Sequence, residues 1–572
     1  MKKFVSMLLV LAMISCVAFS LAGCGAPEDD GAHISVYLGN EVYDFDPTDY
    51  YVDSNAEQLM SLLFEPLFKL EKGKLVNGVA ESYKVDRELR KIVITLRETY
   101  WSNNTRVKAA DFVYAWSERL LNPNNANPAA ALLYDIENAA GIKSGTLSPA
   151  ELKAEATDVY ELTITYREGA DYEQLLRNLA SVATAPIRQS AAETAINYWS
   201  KVITSVVTNG PFRVANYDTL ESALVLARNN GYHQPYDVEN YVTKVTPGML
   251  VGFTTAIGDT VEVSYSDITD KTVFYLADAP LSERLANKDK AVVADDTSVY
   301  TYVFNTEREL FKIPEVRLAL SLAIDRQAII DAIGFGKAAD GFVPDVSGGS
   351  SADLIAKTAK TLEAEALLAD VDFTGINKSF TLTVAADEES LKIAELVKGA
   401  WDALGFNVKI ESETVISNTV GSDEDTFEIL DSGIQAAVKR ASLGERDFDV
   451  IAVDWQTYTD DAFVALASLS GHMNGCGRVL PDGGARTSIT GWADEDYDYY
   501  ISAAYKSSGE ERAAALASAE AYLCEEMPVI PLVFNQSFAF VSSELSGVTF
   551  DSLGNAVLTR VSQKNYKNYL EE

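Results

Sequence analysis

Between residues 380 and 456 the apolar residues change period twice, and this switch limits the fold more than any other feature of the chain. Phe380 to Val384 reads as a strand. Ile393, Val397, Ala400/Trp401 and Leu404 then recur at helical spacing. Gly405 is placed to end that helix in a left-handed cap, and Phe406 to Ile410 resumes as a strand. Strand, helix and strand in this order make a β-α-β unit, with parallel strands and a right-handed crossover. Phe448 to Val453 is a third strand, almost continuously apolar, as expected of one covered on both faces. It stops at Asp454-Trp455-Gln456-Thr457-Tyr458-Thr459-Asp460-Asp461. Ligands of open α/β sheets sit at the carboxyl ends of strands, so position alone nominates this polar, aromatic and acidic segment as a site.

The rest of the chain also mixes strands and helices. Ile34-Ser35-Val36-Tyr37-Leu38 alternates as a strand, and so do Ile92, Ile94 and Leu96 between charged flanks. Phe112, Trp116 and Leu120 lie four apart, one apolar face of a helix that starts at Asp111 and is stopped by Asn122-Pro123-Asn124-Asn125. Pro314 opens another helix, with Val316, Ala319/Leu320 and Ala323/Ile324 at helical spacing. A last helix, about Glu510 to Glu526, runs into the strand-like Val529 to Phe540. At 572 residues and 47% hydrophobic content the chain exceeds one ordinary core, so two or three lobes are expected.

Charge and motif content exclude several function classes. The 84 acidic residues outnumber 47 basic ones, a formal net charge of −37, which repels nucleic-acid phosphates. No nucleic-acid partner is expected. The sequence has no GxSxG, no HExxH and no GxxxxGK[ST]. His33, His233 and His472 form no ligand-spaced cluster, so neither a metal nor another cofactor is expected. Tyrosine and tryptophan are plentiful for contacting an amphipathic ligand, although most will pack the core.

The first residues read as a secretion signal. Lys2 and Lys3 precede an interrupted apolar core, Phe4 to Leu11 and Val17 to Leu21, too short and too early for a membrane span. Leu21-Ala22-Gly23-Cys24 resembles the bacterial lipobox, where cleavage before the cysteine leaves Cys24 as a lipidated amino terminus. Acyl chains there would hold the protein at the outer face of the cytoplasmic membrane. Residues 1–23 are thus read as a lipoprotein signal peptide and 24–32 as a linker. Cys476 and Cys524 then remain as the pair that a disulfide, permitted in that compartment, would join.

Ordered stretches along the mature chain resemble the family 5 solute-binding proteins of ABC importers, the oligopeptide- and dipeptide-binding group. Asp46-Pro47, Leu63-Phe64-Glu65-Pro66-Leu67, Val79-Ala80-Glu81-Ser82-Tyr83 and Trp101-Ser102-Asn103 come first. Ala110-Asp111-Phe112-Val113-Tyr114-Ala115-Trp116, Asn209-Gly210-Pro211-Phe212 and Phe304-Asn305-Thr306 follow. Val316-Arg317, Ala323-Ile324-Asp325-Arg326, Gly491-Trp492, Tyr497-Asp498 and Met527-Pro528-Val529-Ile530-Pro531 complete the set. Each is weak alone; the order makes the resemblance.

The resemblance implies an α/β, two-lobed periplasmic-binding-protein-like fold with two crossover segments and an extra subdomain in lobe I. Lobe I would comprise 33–69, 195–302 and 526–572, the extra subdomain 70–194, and lobe II 303–525. It also implies a monomer that captures a small ligand, most plausibly a peptide, by hinge closure and delivers it to permease subunits. Peptide binders of the family hold the ligand's amino terminus with an Asp three residues after a lobe II tryptophan. If that tryptophan is Trp455, the matching residue is Tyr458, so Asp454, Asp460 or Asp461 would have to take the ammonium, or the ligand lacks one. On the facing lobe, the segment after Asp46-Pro47 contacts ligand in relatives, which the resemblance carries over to Tyr51, Val52 and Asp53. A ligand-sensing lipoprotein without transport is the alternative. An extracellular hydrolase, with a glycosidase-like carboxylate pair, is the rival from another class.

Overall fold

The computed structural model describes residues 32–37, 44–49, 54–194, 199–201, 205–218, 223–234, 242–248, 253–254, 260–261, 274–276, 281–349, 353–414, 417–420, 429–474, 488–541 and 543–563. Among these, the chain forms three larger sheets. A five-stranded sheet takes Ala32–Tyr37 together with strands between Phe212 and Leu276. A four-stranded antiparallel sheet is built from Ala80–Asp86, Lys91–Leu96, Ala154–Asp158 and Glu161–Thr165. The six-stranded sheet runs in the order Lys337–Ala338, Val529–Ala539, Val292–Phe304, Val450–Gln456, Ser379–Ala385, Asn407–Glu413. Val292–Phe304 and Val529–Ala539 both belong to this sheet, although the boundaries expected from the sequence assign 292–302 and 529–539 to lobe I.

The β-α-β reading holds. Ser379–Ala385 and Asn407–Glu413 pair in parallel without a break, joined by helix Glu388–Ala403. Asp387 caps that helix by accepting from the Ser390 amide at 2.8 Å, and Gly405 takes φ +88°, a region L side chains avoid. Ile393, Val397 and Trp401 are buried. Val450–Gln456 joins in parallel on the other side of Ser379–Ala385. It runs three residues past the end expected at Val453, because Val292–Phe304 supplies ladder partners for all of it: Tyr300 opposite Asp454, Val299 opposite Trp455, Ser298 opposite Gln456.

Side chains of this strand alternate between two cores, as the strand period of two requires. Val450 and Ala452 pack with Tyr302, Phe304, Phe380 and Trp401. Ile451, Val453 and Trp455 join a second core that reaches Leu63, Phe64, Phe112 and Trp116.

Two helices differ from expectation. The helix expected at Asp111 begins at Ala109, with Asp111 at its third position accepting from the Lys108 amide at 2.9 Å and from Trp101 Nε1 at 3.2 Å. From Ala115 to Leu120 it widens to π geometry, the Leu121 amide reaching back to the Trp116 carbonyl, which still leaves Phe112, Trp116 and Leu120 buried. Pro314–Leu322 stops short of Ala323 because Asp325 caps a new helix, Arg326–Ile333, accepting from the Ala328 amide at 2.9 Å.

Several family-like motifs prove to be fasteners. Asn209 accepts from the Glu65 amide at 3.1 Å and donates to the Glu65 carbonyl at 2.8 Å, while Gly210 approaches Leu63 so closely that a Cβ would lie 2.5 Å from its carbonyl carbon. Arg326 is fully buried and donates to the carbonyls of Pro531, Ser321 and Ala356. Of the two cysteines considered for a disulfide, Cys524 is a buried free thiol within helix Gly509–Glu526. Cys476 and Cys24 lie outside the described residues.

Three buried carboxyl groups lie where helix Ser54–Leu63, the long strand and the C-terminal segment meet. Burial, with Asp296 and Asp551 nearby, pushes Glu57 up from 4.5 to about 8. Burial also raises Asp551, to about 6, and Asp296. All three bind their protons more tightly folded than unfolded, so the stability they contribute is full at low pH and is lost as pH rises through the folded values. Thermal denaturation should therefore show Tm falling between about pH 5 and pH 8. Glu57→Gln, which cannot ionise, should flatten that decline.

Candidate functional site

The segment nominated by position is held from three sides. Trp455 is the last core residue of the central strand on its face; it meets Phe342 edge-on at 5.5 Å and donates from Nε1 to Ser468 Oγ at 3.1 Å. Asp454 lies on the opposite face, half-buried, accepting from Asn535 Nδ2 at 2.9 Å. Adjacent strand residues point to opposite faces, so these two side chains do not converge on one small ligand. The nominated site therefore splits across the sheet.

Beyond Gln456 the chain turns. Thr457 Oγ1 lies 2.6 Å from the Thr297 carbonyl, to which it donates, and 2.6 Å from Ser347 Oγ. Tyr458, fully buried, takes φ +62°, a left-handed conformation that costs a bulky residue roughly 1–2 kcal/mol. The bonds made by its two threonine neighbours hold it there. Thr459 Oγ1 donates to Asn178 Oδ1 at 3.2 Å.

The next two residues are acidic and each meets an arginine. Asp460 pairs with Arg177 from helix Tyr172–Asn178, whose Nε is 3.2 Å from Oδ1, and accepts from Gln174 at 3.4 Å. Arg177 also donates to the Gly73 carbonyl at 3.2 Å. Asp461 is clasped by both terminal nitrogens of Arg512, one at 2.7 Å, and both side chains are almost wholly buried. Burial alone would lower the Arg512 pKa; Asp461, with Asp135 and Asp171, outweighs it and holds the guanidinium above its ordinary value. Asp135, paired with Arg167, is pushed up to about 6, chiefly by burial. Neither Asp460 nor Asp461 is a lone counterion for a ligand ammonium.

The Asp46-Pro47 segment is anchored by Asn125 and Asn127, which donate to the Thr48 carbonyl at 2.9 and 3.1 Å; Asn127 also reaches the Asp49 carbonyl at 2.8 Å. Arg119 pairs with Asp46, and Lys439, from helix Ile434–Ser442, pairs with Asp49 at 2.6 Å. An open pocket of about 290 Å³ is lined there by Asp44, Asp46, Asp49, Glu118, Arg119 and three asparagines. Burial, then Asp49 and Asp46, pushes Asp44 up to about 6. Tyr51, Val52 and Asp53 lie outside the described residues.

Arg177, Asn178, Ser347, Lys439 and Arg512 were not nominated from the sequence. Each meets its partner across tens to hundreds of residues, so no local spacing marks it. Of the histidines, His233 is engaged by Glu65 and Arg97, at 2.6 and 3.0 Å. Lys69 and the His233 bond offset burial and hold Glu65 down at about 2. Among the described residues no His/Cys/Asp/Glu group could hold a metal ion.

Residues 74–475 match the family described as bacterial extracellular solute-binding proteins, family 5 middle. The chain belongs to this family. It is similar to the dipeptide-binding protein DppE of Bacillus subtilis, 24% identical over 94% of this chain and 95% of that one. It also resembles Haemophilus influenzae OppA in complex with RPPGFSPFR, with a TM-score of 0.74 at 22% identity, covering 94% of this chain and 99% of the other. Against the murein tripeptide-binding protein MppA in its unliganded open form the TM-score is 0.55 at 22% identity, covering 93% and 97%. The fold is two-lobed and periplasmic-binding-protein-like, as the sequence resemblance implies.

Asp461→Asn should cost about 3–5 kcal/mol of stability, since it strands the buried Arg512 charge. Equilibrium denaturation would measure the loss; a change below about 1 kcal/mol would show that the pair is not buried in solution.

Proposed function

We propose that this chain is the solute-binding subunit of an ABC importer, tethered by a lipid at Cys24, that captures peptides between its lobes and hands them to a membrane permease. The observation that carries this reading is family membership over residues 74–475, joined to the turn at 457–461 lying where two parts of the chain meet. The names of the relatives, a dipeptide-binding protein and a peptide complex of OppA, support the ligand class. In this reading 33–69, 195–302 and 526–572 form lobe I, 70–194 its extra subdomain and 303–525 lobe II. The long strands Val292–Phe304 and Val529–Ala539 are the two crossovers.

Closure follows from the same reading. A ligand touching both lobes favours the closed form by its differential affinity for the two states. The higher TM-score against a peptide complex than against an unliganded open form supports a closed arrangement here. Trp455 and Tyr458 are the aromatic residues of lobe II that flank the guest, with Tyr51, Val52 and Asp53 opposite. The pairs made by Asp460 and Asp461 leave the ligand's amino end to other groups.

The protein has no P-loop sequence, so the energy for transport comes from another polypeptide. Native mass spectrometry of the purified protein should reveal one short peptide per chain. Recovery of a sugar, a metal chelate or another non-peptide as the sole guest would overturn the ligand class. Cys24→Ser should release the protein from the membrane fraction; unchanged membrane retention would overturn the anchor.

A further inference from the structure

We propose that Arg177 and Asp460 form a closure latch: an ion pair between the extra subdomain and lobe II that holds the unliganded protein toward its closed form without touching ligand. This rests on the hinge-closure reading above.

The two adjacent carboxylates differ in where their arginines come from. Asp461 pairs with Arg512 inside lobe II, and both are nearly buried, with side chains 5% and 10% exposed. Opening the lobes leaves that pair intact. Asp460 instead reaches Arg177, 283 residues away in the subdomain. These side chains keep 14% and 27% exposure, so on opening each can regain water and neither is stranded in an apolar interior. A pair that forms on contact and rehydrates on separation is suited to a reversible contact. A fully buried pair is not, because breaking it costs several kcal/mol.

The geometry around the pair is organised for one docked position. Arg177 sits in the last turn of Tyr172–Asn178, where the helix dipole favours a cation, and its guanidinium is also held by the Gly73 carbonyl. Asn178, next in sequence, receives Thr459, the residue before Asp460. Gln174, one turn earlier, donates to the same carboxylate. One helix end thus grips two consecutive residues of the turn. Two weaker contacts lie on the same face: the Gly509 amide to Asp171 at 3.4 Å, and the Arg167 guanidinium over the Tyr505 ring at 3.8 Å. Lys439 with Asp49 is a second cation–carboxylate pair joining the N-terminal segment to lobe II.

Charge reversal on the full chain tests the latch. Arg177→Asp and Asp460→Arg, each alone, should increase the radius of gyration of the ligand-free protein in small-angle X-ray scattering, and the double reversal should restore it. With trialanine as probe, each single reversal should weaken binding roughly three- to tenfold, and the double should recover it. Arg177→Gln, which leaves no like-charge repulsion, should expand the protein less than the reversals do. It serves as the measure if a reversed chain fails to fold. Single variants with wild-type scattering, or a double reversal that remains expanded, would overturn the latch. Failure of trialanine and other short peptides to bind the wild-type chain would instead remove the peptide reading and leave the scattering to decide.

Discussion

The long strand Val292–Phe304 pairs on one edge with Val450–Gln456 and on the other with Val529–Ala539. Most of what positions the candidate site depends on that double pairing. It keeps the central strand going through Asp454 and Gln456, sends their side chains to one face of the sheet and that of Trp455 into the core on the other, and sets where the chain must turn. The ladder with Val529–Ala539 is interrupted between Asp295 and Val299, where register shifts. Asp296 lies in that interruption, its carboxylate accepting from the Ser298 amide and the Ser537 hydroxyl at 3.0 and 2.9 Å. The irregular stretch also exposes the Thr297 carbonyl to Thr457, so the bulge in one strand receives the turn of its neighbour.

Fastening between distant segments explains why scattered motifs, weak one by one, identify the family as a set. The fork of Arg326 binds three carbonyls on three other segments. Asn209 closes a two-bond exchange with Glu65 that mimics a strand pairing. Buried carbonyls and amides must be satisfied, and an arginine or asparagine meets several at once. Such residues mark architecture more than ligand chemistry.

The carboxylates after Trp455 show the difference between residue type and residue role. In the sequence Asp454, Asp460 and Asp461 are three equivalent candidates for a ligand ammonium. Folded, Asp454 faces the other side of the sheet and accepts from Asn535, Asp461 is neutralised by Arg512 of helix Gly509–Glu526, and Asp460 is engaged by Arg177 of helix Tyr172–Asn178. Tyr458 was legible as a departure from the family pattern, but its left-handed backbone was not, because nothing in Thr457-Tyr458-Thr459 supplies the glycine or asparagine that signals such a turn. The conformation is imposed by Thr297, Ser347 and Asn178.

Read alone, the order of residues determined the parallel β-α-β unit, the left-handed cap at Gly405, the helix opened by Pro314 and the doubly covered central strand. These follow from periodicity and from backbone preferences that act within about one turn or one strand. It also determined the family, through motifs kept in order. Only the tertiary structure decided the reach of the strand to Gln456, the free state of Cys524 and the partners of the three aspartates. Charge pairing and ladder formation depend on distance in space, and Arg177 meets Asp460 only once folding has brought together segments 283 residues apart.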